Sequence, residues 1–368
     1  MESLSNSPPR EDECQRSDEN PALNANLLEQ VLSNANIQQA WQQVRRNKGA
    51  AGVDGITLEQ FTDWVKPQWR DLKEQLLSGN YQPQPVKRVR IPKDDGSERL
   101  LGIPTVLDRV IQQAIVQVLS PIFDPTFSEH SHGFRPNRSA HDAVREVQGY
   151  CQQKRNIAVD IDLSKFFDRV NHDKLMTLLG RSLRDKGLLQ LIGRYLRAGV
   201  MDGSILLPSH EGVPQGGPLS PLLSNVMLDP LDKELKKRGH CFSRYADDLI
   251  VMVKSPRAGE RVLGSLTRFI ENELKLKVNT DKSQVVESTH CQFLGFSFRG
   301  QQIRWHPKPI EKFKRRVREL TNRTWGVSMG KKIYELSVFL RGWITGYGAG
   351  SEWATGSNGA GHAPKYAA

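Results

Sequence analysis

The chain has 368 residues, and 52 Lys and Arg against 41 Asp and Glu give a formal net charge of +11. Hydrophobic residues at 38% and charged residues at 25% suit a globular protein of about two domains and argue against full-length disorder. No apolar run approaches the ~20 residues that span a bilayer. The start, MESLSNSPPREDECQRSDEN, lacks the basic and apolar regions of a secretory signal, so membrane and secreted classes are disfavoured.

Residues 1–25 are polar, with Pro8, Pro9 and Pro21, and read as a disordered lead-in. Residues 26–46 carry Leu27, Val31, Ile37, Ala40 and Val44 at helical spacing. Gly49, Gly52 and Gly55 break that pattern, and a second helical region follows at about 57–77. Residues 86–103 read as two strands around an Asp-Asp-Gly turn. Over 106–119 a helix is predicted with Val110, Ile111, Ala114, Ile115, Val118 and Leu119 on one face, and another over 140–153. IAVDIDL (157–163) alternates as a strand does, and a long helical region is expected at about 171–198. CFSRYADDLIVMV (241–253) reads as strand, tight turn, strand. A helix at about 257–275 and short strands near 283–287 and 292–304 follow. Residues 309–320 form a basic amphipathic helix with Ile310, Phe313, Val317 and Leu320 on its apolar side. From about 348 the chain is rich in Gly, Ala and Ser, without a packing pattern. The sum is an α+β fold.

Charge and cysteines narrow the class further. Residues 1–20 hold six acids and two bases, whereas 301–332 hold ten bases and two acids. A positive stretch of that kind suits a polyanion such as nucleic acid, or a solvated helix face. Cys14, Cys151, Cys241 and Cys291 are far apart and form no CxxC pair, which disfavours a zinc ribbon and fits a reducing cytoplasm.

The acids carry the chemistry. In 157–163, Asp160 and Asp162 share a face with Ala158, while Ile157, Val159, Ile161 and Leu163 share the other. Carboxylates on an otherwise apolar strand are costly to bury unpaired. In RYADD, Asp247 and Asp248 sit at a hairpin tip, where Asp is also an ordinary turn residue. The two acidic elements together suggest a shared site for hard divalent cations, which prefer oxygen ligands and can serve phosphoryl transfer in pairs.

The order of blocks now resembles bacterial group II intron-encoded reverse transcriptases (maturases), of the group IIC type, over about 26–347. The blocks are GAAGVDGIT, RVRIPKDDGSERLLGIPTVLDRVIQQAI, HGFRPNRSAHDAV, DIDLSKFFDRVNHDKL, GVPQGGPLSPLLSNVMLDPLDKEL, RYADDLIVMV and CQFLGFSF. The resemblance implies a right-hand polymerase fold of fingers, palm and helical thumb. Its division would be a helical extension at 26–71, fingers and palm at 72–300, a partial thumb or maturase domain at 301–347 and a tail at 348–368. It implies RNA-directed DNA synthesis with two Mg²⁺ ions, and help in intron splicing and mobility.

Residue by residue, the resemblance makes Asp162, Asp247 and Asp248 catalytic, and these three with Leu163 the metal ligands. Asp160 has at most a supporting role. It gives Lys93 and Arg99 contact with the dNTP triphosphate, Phe167 exclusion of the ribose 2′-OH, Gln215 a place near the nucleotide, and Lys282 a role at the triphosphate. Arg135 and Arg138 become template contacts, and His141 stays structural. Phe293, Leu294 and Gly295 become the primer grip, and Lys314, Arg315 and Arg316 grip nucleic acid from the thumb. Implied partners are intron RNA, an RNA template with DNA primer, and dNTPs; a homodimer is left open. The maturase block WGVSMGKKIYELSVFLRGWITGYG gives way to the tail, so a chain truncated inside the thumb is expected. Two alternatives stand beside this reading: a non-catalytic RNA-binding maturase or truncated remnant, and a defence-associated reverse transcriptase.

Overall fold

The structure, a computed structural model, describes residues 26–92, 96, 98–300 and 302–347. The lead-in, the Gly/Ala tail, Lys93 and most of the Asp-Asp-Gly turn lie outside the described residues.

The first predicted helix is two, α1 (Leu27–Val31) and α2 (Asn34–Asn47), because Ser33 caps the second by accepting from Asn36 N at 3.4 Å. The next region is likewise α3 (Leu58–Val65), opened by a Thr57–Gln60 capping box, and α4 (Trp69–Leu77) beyond Pro67. β1 (Val86–Pro92) and β2 (Glu98–Ile103) form the expected hairpin. α5 (Val106–Phe123) is capped by Thr105 and runs through the core. The stretch Val106–Thr126 has the length and composition of a membrane span, contrary to the sequence reading, but most of it is buried inside the fold.

α6 (Ala140–Gln152) starts at a Ser139–Asp142 capping box, and β3 (Ile157–Ile161) follows. The long region after it is α7 (His172–Ser182) and α8 (Lys186–Arg197). It divides at Asp185, whose carboxylate caps α8 through Leu188 N (3.0 Å) and also holds Leu28 N (2.8 Å). No element is legible in the sequence over 200–237. There the structure has β4 (Val200–Asp202), β5 (Ile205–Leu207) and α9 (Ser220–Lys237), whose Pro221 and Pro230 mask its helical pattern. β6 (Cys241–Tyr245), β7 (Asp248–Val253), α10 (Pro256–Glu273), β8 (Gln284–Glu287), β9 (Phe296–Arg299) and β10 (Gln302–Trp305) complete the strands. α11 (Pro307–Leu320) and α12 (Met329–Tyr347) end the described chain.

The central sheet has order β6-β7-β3-β8, all antiparallel. The pleat sends Val159, Ile161, Leu249 and Val251 into a core shared with α1, α2, α5 and α7 to α10. The opposite face sends Ala158, Ile250 and Met252 against Ala143, Val144 and Val147 of α6 and against Phe293, Phe296 and Phe298. A second sheet, β2-β1-β4-β5, carries the β1–β2 hairpin.

Candidate active site

In the β3–β7 ladder, Asp160 faces Ile250 and Ile161 faces Leu249. One further step along that register sets Asp162 opposite Asp248. β6 and β7 close Tyr245 against Asp248, leaving Ala246 and Asp247 as the turn. Ala246 has φ 57° and Asp247 does not share the positive φ, the signature of a type II′ hairpin turn. A non-glycine residue there is strained. Period two and one tight turn thus gather Asp162, Asp247 and Asp248 at one end of the sheet, with Asp160 one pleat behind on β3.

These carboxylates repel one another in a partly desolvated place. Burial, then the charges of Asp247, Asp160 and Asp162, push Asp248 up to about 7, although Asp248 keeps an edge open to solvent that screens part of this. Burial, then Asp162, push Asp160 up to about 6 against a hydrogen bond with Gln284. Burial also raises Asp247, and the charges of Arg99 and Arg244 pull it back. Among the described residues no ion pair neutralises any of the four.

The donor set is all oxygen, which suits a hard divalent cation. Leu163 adds a main-chain oxygen. It bridges Val278 as a pair whose bonds are made by its neighbours, Asn279 N to Asp162 O and Ser164 N to Lys277 O, both 2.8 Å. That pattern leaves the Leu163 carbonyl outside this ladder. Among the described residues no three His, Cys, Asp or Glu side chains already enclose an ion. The fit is therefore one of charge and donor type, and an ion would have to draw the ligands in.

Main-chain contacts link Phe167 and Gln215, two of the other expected site residues, to one loop. Phe167 O accepts from Val213 N at 2.6 Å, and Gly102 N donates to Gln215 O at 2.7 Å, so the PQGG loop spans from Phe167 to strand β2. Gly216, at φ 121°, brings its backbone so close to Gly102 O that a Cβ would stand 2.6 Å away. Arg99 is exposed on that strand, opposite Ile91. The half-buried Phe167 ring packs edge-on against buried Phe166 at 5.0 Å. Lys282 is exposed in the turn before β8, and its neighbour Ser283 supports Asp162 by accepting from Asp162 N at 3.0 Å.

Phe293, Leu294 and Gly295 form a second hairpin turn. Phe293 and Phe296 exchange two bonds of 2.9 Å, and Leu294 and Gly295 both have positive φ, as a type I′ turn requires. This turn meets α12, since a Cβ on Gly295 would lie 2.7 Å from the Tyr347 ring. Lys314, Arg315 and Arg316 lie elsewhere, on the exposed side of α11, with Arg316 paired to Glu319 at 2.9 Å. Phe313 on the other side packs on Phe339 and Trp343 of α12.

Arg135 is turned inward. Its guanidinium pairs with Asp124 at 2.7 Å and donates to the carbonyls of Ser128, Ser131 and Asp124, with 5% of the side chain exposed. Such an arrangement suits a loop clamp better than the expected template contact. Arg138 reaches the Glu129 carbonyl at the surface. His141 binds the Gly346 carbonyl of α12 at 2.9 Å.

Sequence reasoning missed the support beneath the RYADD hairpin. Arg244 is fully buried and holds both carboxylate oxygens of buried Asp232, at 2.7 and 2.5 Å. It also donates to Ala246 O (2.7 Å), Asn225 Oδ1 (3.1 Å) and Ser131 Oγ (2.7 Å). Its own backbone is laddered to His130 O and His132 N. The signal was present as the Arg next to YADD, but nothing in the sequence pairs it with Asp232.

Below that loop, Glu146 binds His130 Nδ1 at 2.5 Å and His132 Nε2 at 2.9 Å. Burial would raise Glu146, yet the histidine bonds outweigh it and hold the carboxyl near 2. The Glu146 bond raises His130. Glu146 therefore stabilises the fold above the ordinary carboxylate range and loses that stability as pH falls toward 2. His130 stabilises below about 6.5, and that stability is lost as pH rises through its raised value. Stability from this network should peak at about pH 4.5–6.5. Glu146→Gln is expected to cost about 2 kcal/mol at pH 6 and to flatten the acid limb of a Tm–pH curve. An unchanged acid limb would contradict the assignment.

Residues 91–298 match the reverse transcriptase (RNA-dependent DNA polymerase) family, and residues 310–357 match the group II intron maturase-specific domain. Protein YkfC of Escherichia coli (strain K12) is 34% identical over 297 residues, covering 70% of this chain and 77% of that protein. The group II intron-encoded protein LtrA of Lactococcus lactis subsp. cremoris is 30% identical over 326 residues, covering 71% of this chain and 54% of LtrA. The chain thus spans about half the length of that relative. Among solved structures, a chain of a partial Cas6-RT-Cas1–Cas2 complex is 26% identical with a TM-score of 0.43, covering 67% of this chain and 43% of that one. An α+β chain with this family match over more than half its length, and a maturase-specific match after it, belongs to the reverse transcriptases of the group II intron type.

Proposed function

We propose that the chain copies RNA into DNA in the cytoplasm by nucleotidyl transfer at the Asp162, Asp247 and Asp248 cluster, and that it serves a group II intron RNA. The observation that carries this reading is one end of the palm sheet on which Asp162, Asp247 and Asp248 gather, with the charge of Arg99 of the fingers felt at Asp247. Asp162, Asp247, Asp248 and the Leu163 carbonyl would hold two Mg²⁺ ions. When bound, such ions supply activation of the primer 3′-OH and charge stabilisation on the leaving pyrophosphate. Arg99 and Lys93 bind the triphosphate, Arg99 through its planar fork and Lys93 as a point charge. Phe167 crowds the ribose 2′ position, and Gln215 lines the nucleotide. Lys282 stands ready at the triphosphate to hold or give a proton. Arg138 touches the template, the 293–295 turn supports the primer end, and Lys314, Arg315 and Arg316 grip phosphates. In this reading 26–71 extends the fingers, 72–300 is fingers and palm, and 301–347 is thumb.

The test is Mg²⁺-dependent extension of a DNA primer on an RNA template, with the Asp247→Ala/Asp248→Ala chain as control. Extension by the native chain alone supports the proposal. No extension, with salt-sensitive RNA binding retained, would instead favour a non-catalytic maturase. Within the same assay, Arg99→Ala should raise the dNTP KM about tenfold, the worth of one charge-assisted phosphate contact. A KM unchanged within twofold removes Arg99 from the nucleotide site.

A further inference from the structure

We infer that Phe134 is a stacking contact for a nucleobase of the primer–template beside the catalytic hairpin, an assignment that rests on the primer–template occupying this cleft. Phe134 is 47% exposed, and among the described residues no other phenylalanine is as open. It lies next to the inward-facing Arg135 but, among the described residues, makes no ring contact or cation–π contact of its own. Its backbone is at φ 58°, a conformation that costs a bulky residue energy and that Gly would adopt freely. An apolar ring held in water by a strained backbone is disfavoured twice over in the isolated protein. A backbone outlier of this kind is grounds for a functional hypothesis, and the open face of its ring is available for stacking.

The surroundings say where that face lies. Gly133, directly before it, is packed so tightly on the RYADD turn that a Cβ would stand 2.2 Å from Ala246 N. Asn225 Nδ2 holds the Gly133 carbonyl at 2.9 Å, and His132 N is bonded to Arg244 O at 2.8 Å. The buried Arg244–Asp232 clamp therefore fixes both the carboxylate turn and the segment that displays Phe134. The ring is carried on the same rigid support as Asp247 and Asp248, within one or two residues of their turn. A nucleic acid with its reacting end at those carboxylates passes this surface, and every base offers a π-face to an aromatic ring.

The test uses the full chain and a DNA primer on an RNA template at fixed salt, first as binding without nucleotides and then as extension. Phe134→Ala should weaken binding roughly tenfold, within the range of one base–aromatic stack, and raise the duplex KM with little change in kcat. Phe134→Trp should retain native affinity. Phe134→Gly should melt at a higher temperature than the native chain yet bind as weakly as Phe134→Ala, a pairing that a structural role does not give. Abasic sites placed in turn along the template and the primer should abolish the difference between native and Phe134→Ala chains at one position, and the strand carrying it identifies the contact. Binding by Phe134→Ala within twofold of native overturns the inference. So does a difference that no abasic site in either strand removes. Because the binding arm needs no chemistry, a chain that binds without extending primers would refute the polymerase reading and leave this contact standing.

Discussion

Asp247→Ala or Asp248→Ala should abolish primer extension, by roughly a thousandfold or more, and yet leave a chain that melts no lower than the native one in metal-free buffer. The two halves of this expectation have the same cause. In the folded protein, burial and mutual repulsion push Asp248 up to about 7 and Asp160 up to about 6. A carboxyl raised on folding contributes stability below its ordinary value of ~3.9 that is lost as pH rises through its folded value. At pH 8, above the raised values of Asp160 and Asp248, both of these acids are charged and their repulsion opposes the fold; solvent at the open edge of Asp248 reduces this. Asp248→Asn should therefore raise Tm at pH 8 without metal and change it little at pH 4. Added Mg²⁺ should raise the native Tm and not that of the double alanine chain. Normal extension by either alanine chain would sink the assignment of the carboxylates. A lower Tm at pH 8 would show that they are structural partners instead.

How this site could be read from sequence depends on how local each feature is. The alternation in IAVDIDL placed Asp160 and Asp162 on one face, and the RYADD run implied a hairpin, because period and turn chemistry act over a few residues. The β3–β7 register that joins them follows from those two patterns only once the strands pair. Helix breaks were harder. Ser33 and Asp185 are ordinary polar residues until their side chains cap a backbone N–H, and periodicity runs straight across them. α9 was hidden for the opposite reason: its two prolines look like breakers, although one sits in its first turn where no N–H is needed. Arg135 reads as one more cation in HGFRPNR, but it is folded back onto Asp124 and three carbonyls, contacts that belong to loop geometry rather than to composition. The pairing of Arg244 with Asp232 was invisible because it crosses from helix to strand and has no periodic signature.

That pairing sets the largest stability effect expected in the molecule. The side chains are 1% and 0% exposed, and Arg244 spends its remaining donors on Ala246 O, Asn225 Oδ1 and Ser131 Oγ. Removing one partner strands a desolvated charge, so Asp232→Ala should destabilise the fold by about 3–5 kcal/mol. For a chain of this length that is enough to drive much of the protein into aggregates on expression. Replacing both charges removes the stranded ion, so Arg244→Met with Asp232→Leu should recover most of the lost stability. The recovered chain would still lack the bond to Ala246 O. The turn at φ 57° would then lose the group that holds its carbonyl, and Asp247 and Asp248 would no longer be fixed against Asp162. Extension by the double variant should fall about a hundredfold in kcat, with the dNTP KM little changed and a higher Mg²⁺ concentration needed for half-maximal rate. Chemical denaturation separates the two effects: stability returns while the rate does not. If the double variant regained both, Arg244 would be a core residue and no more. If Asp232→Ala alone proved as stable as the native chain, the buried pair would not hold the hairpin at all.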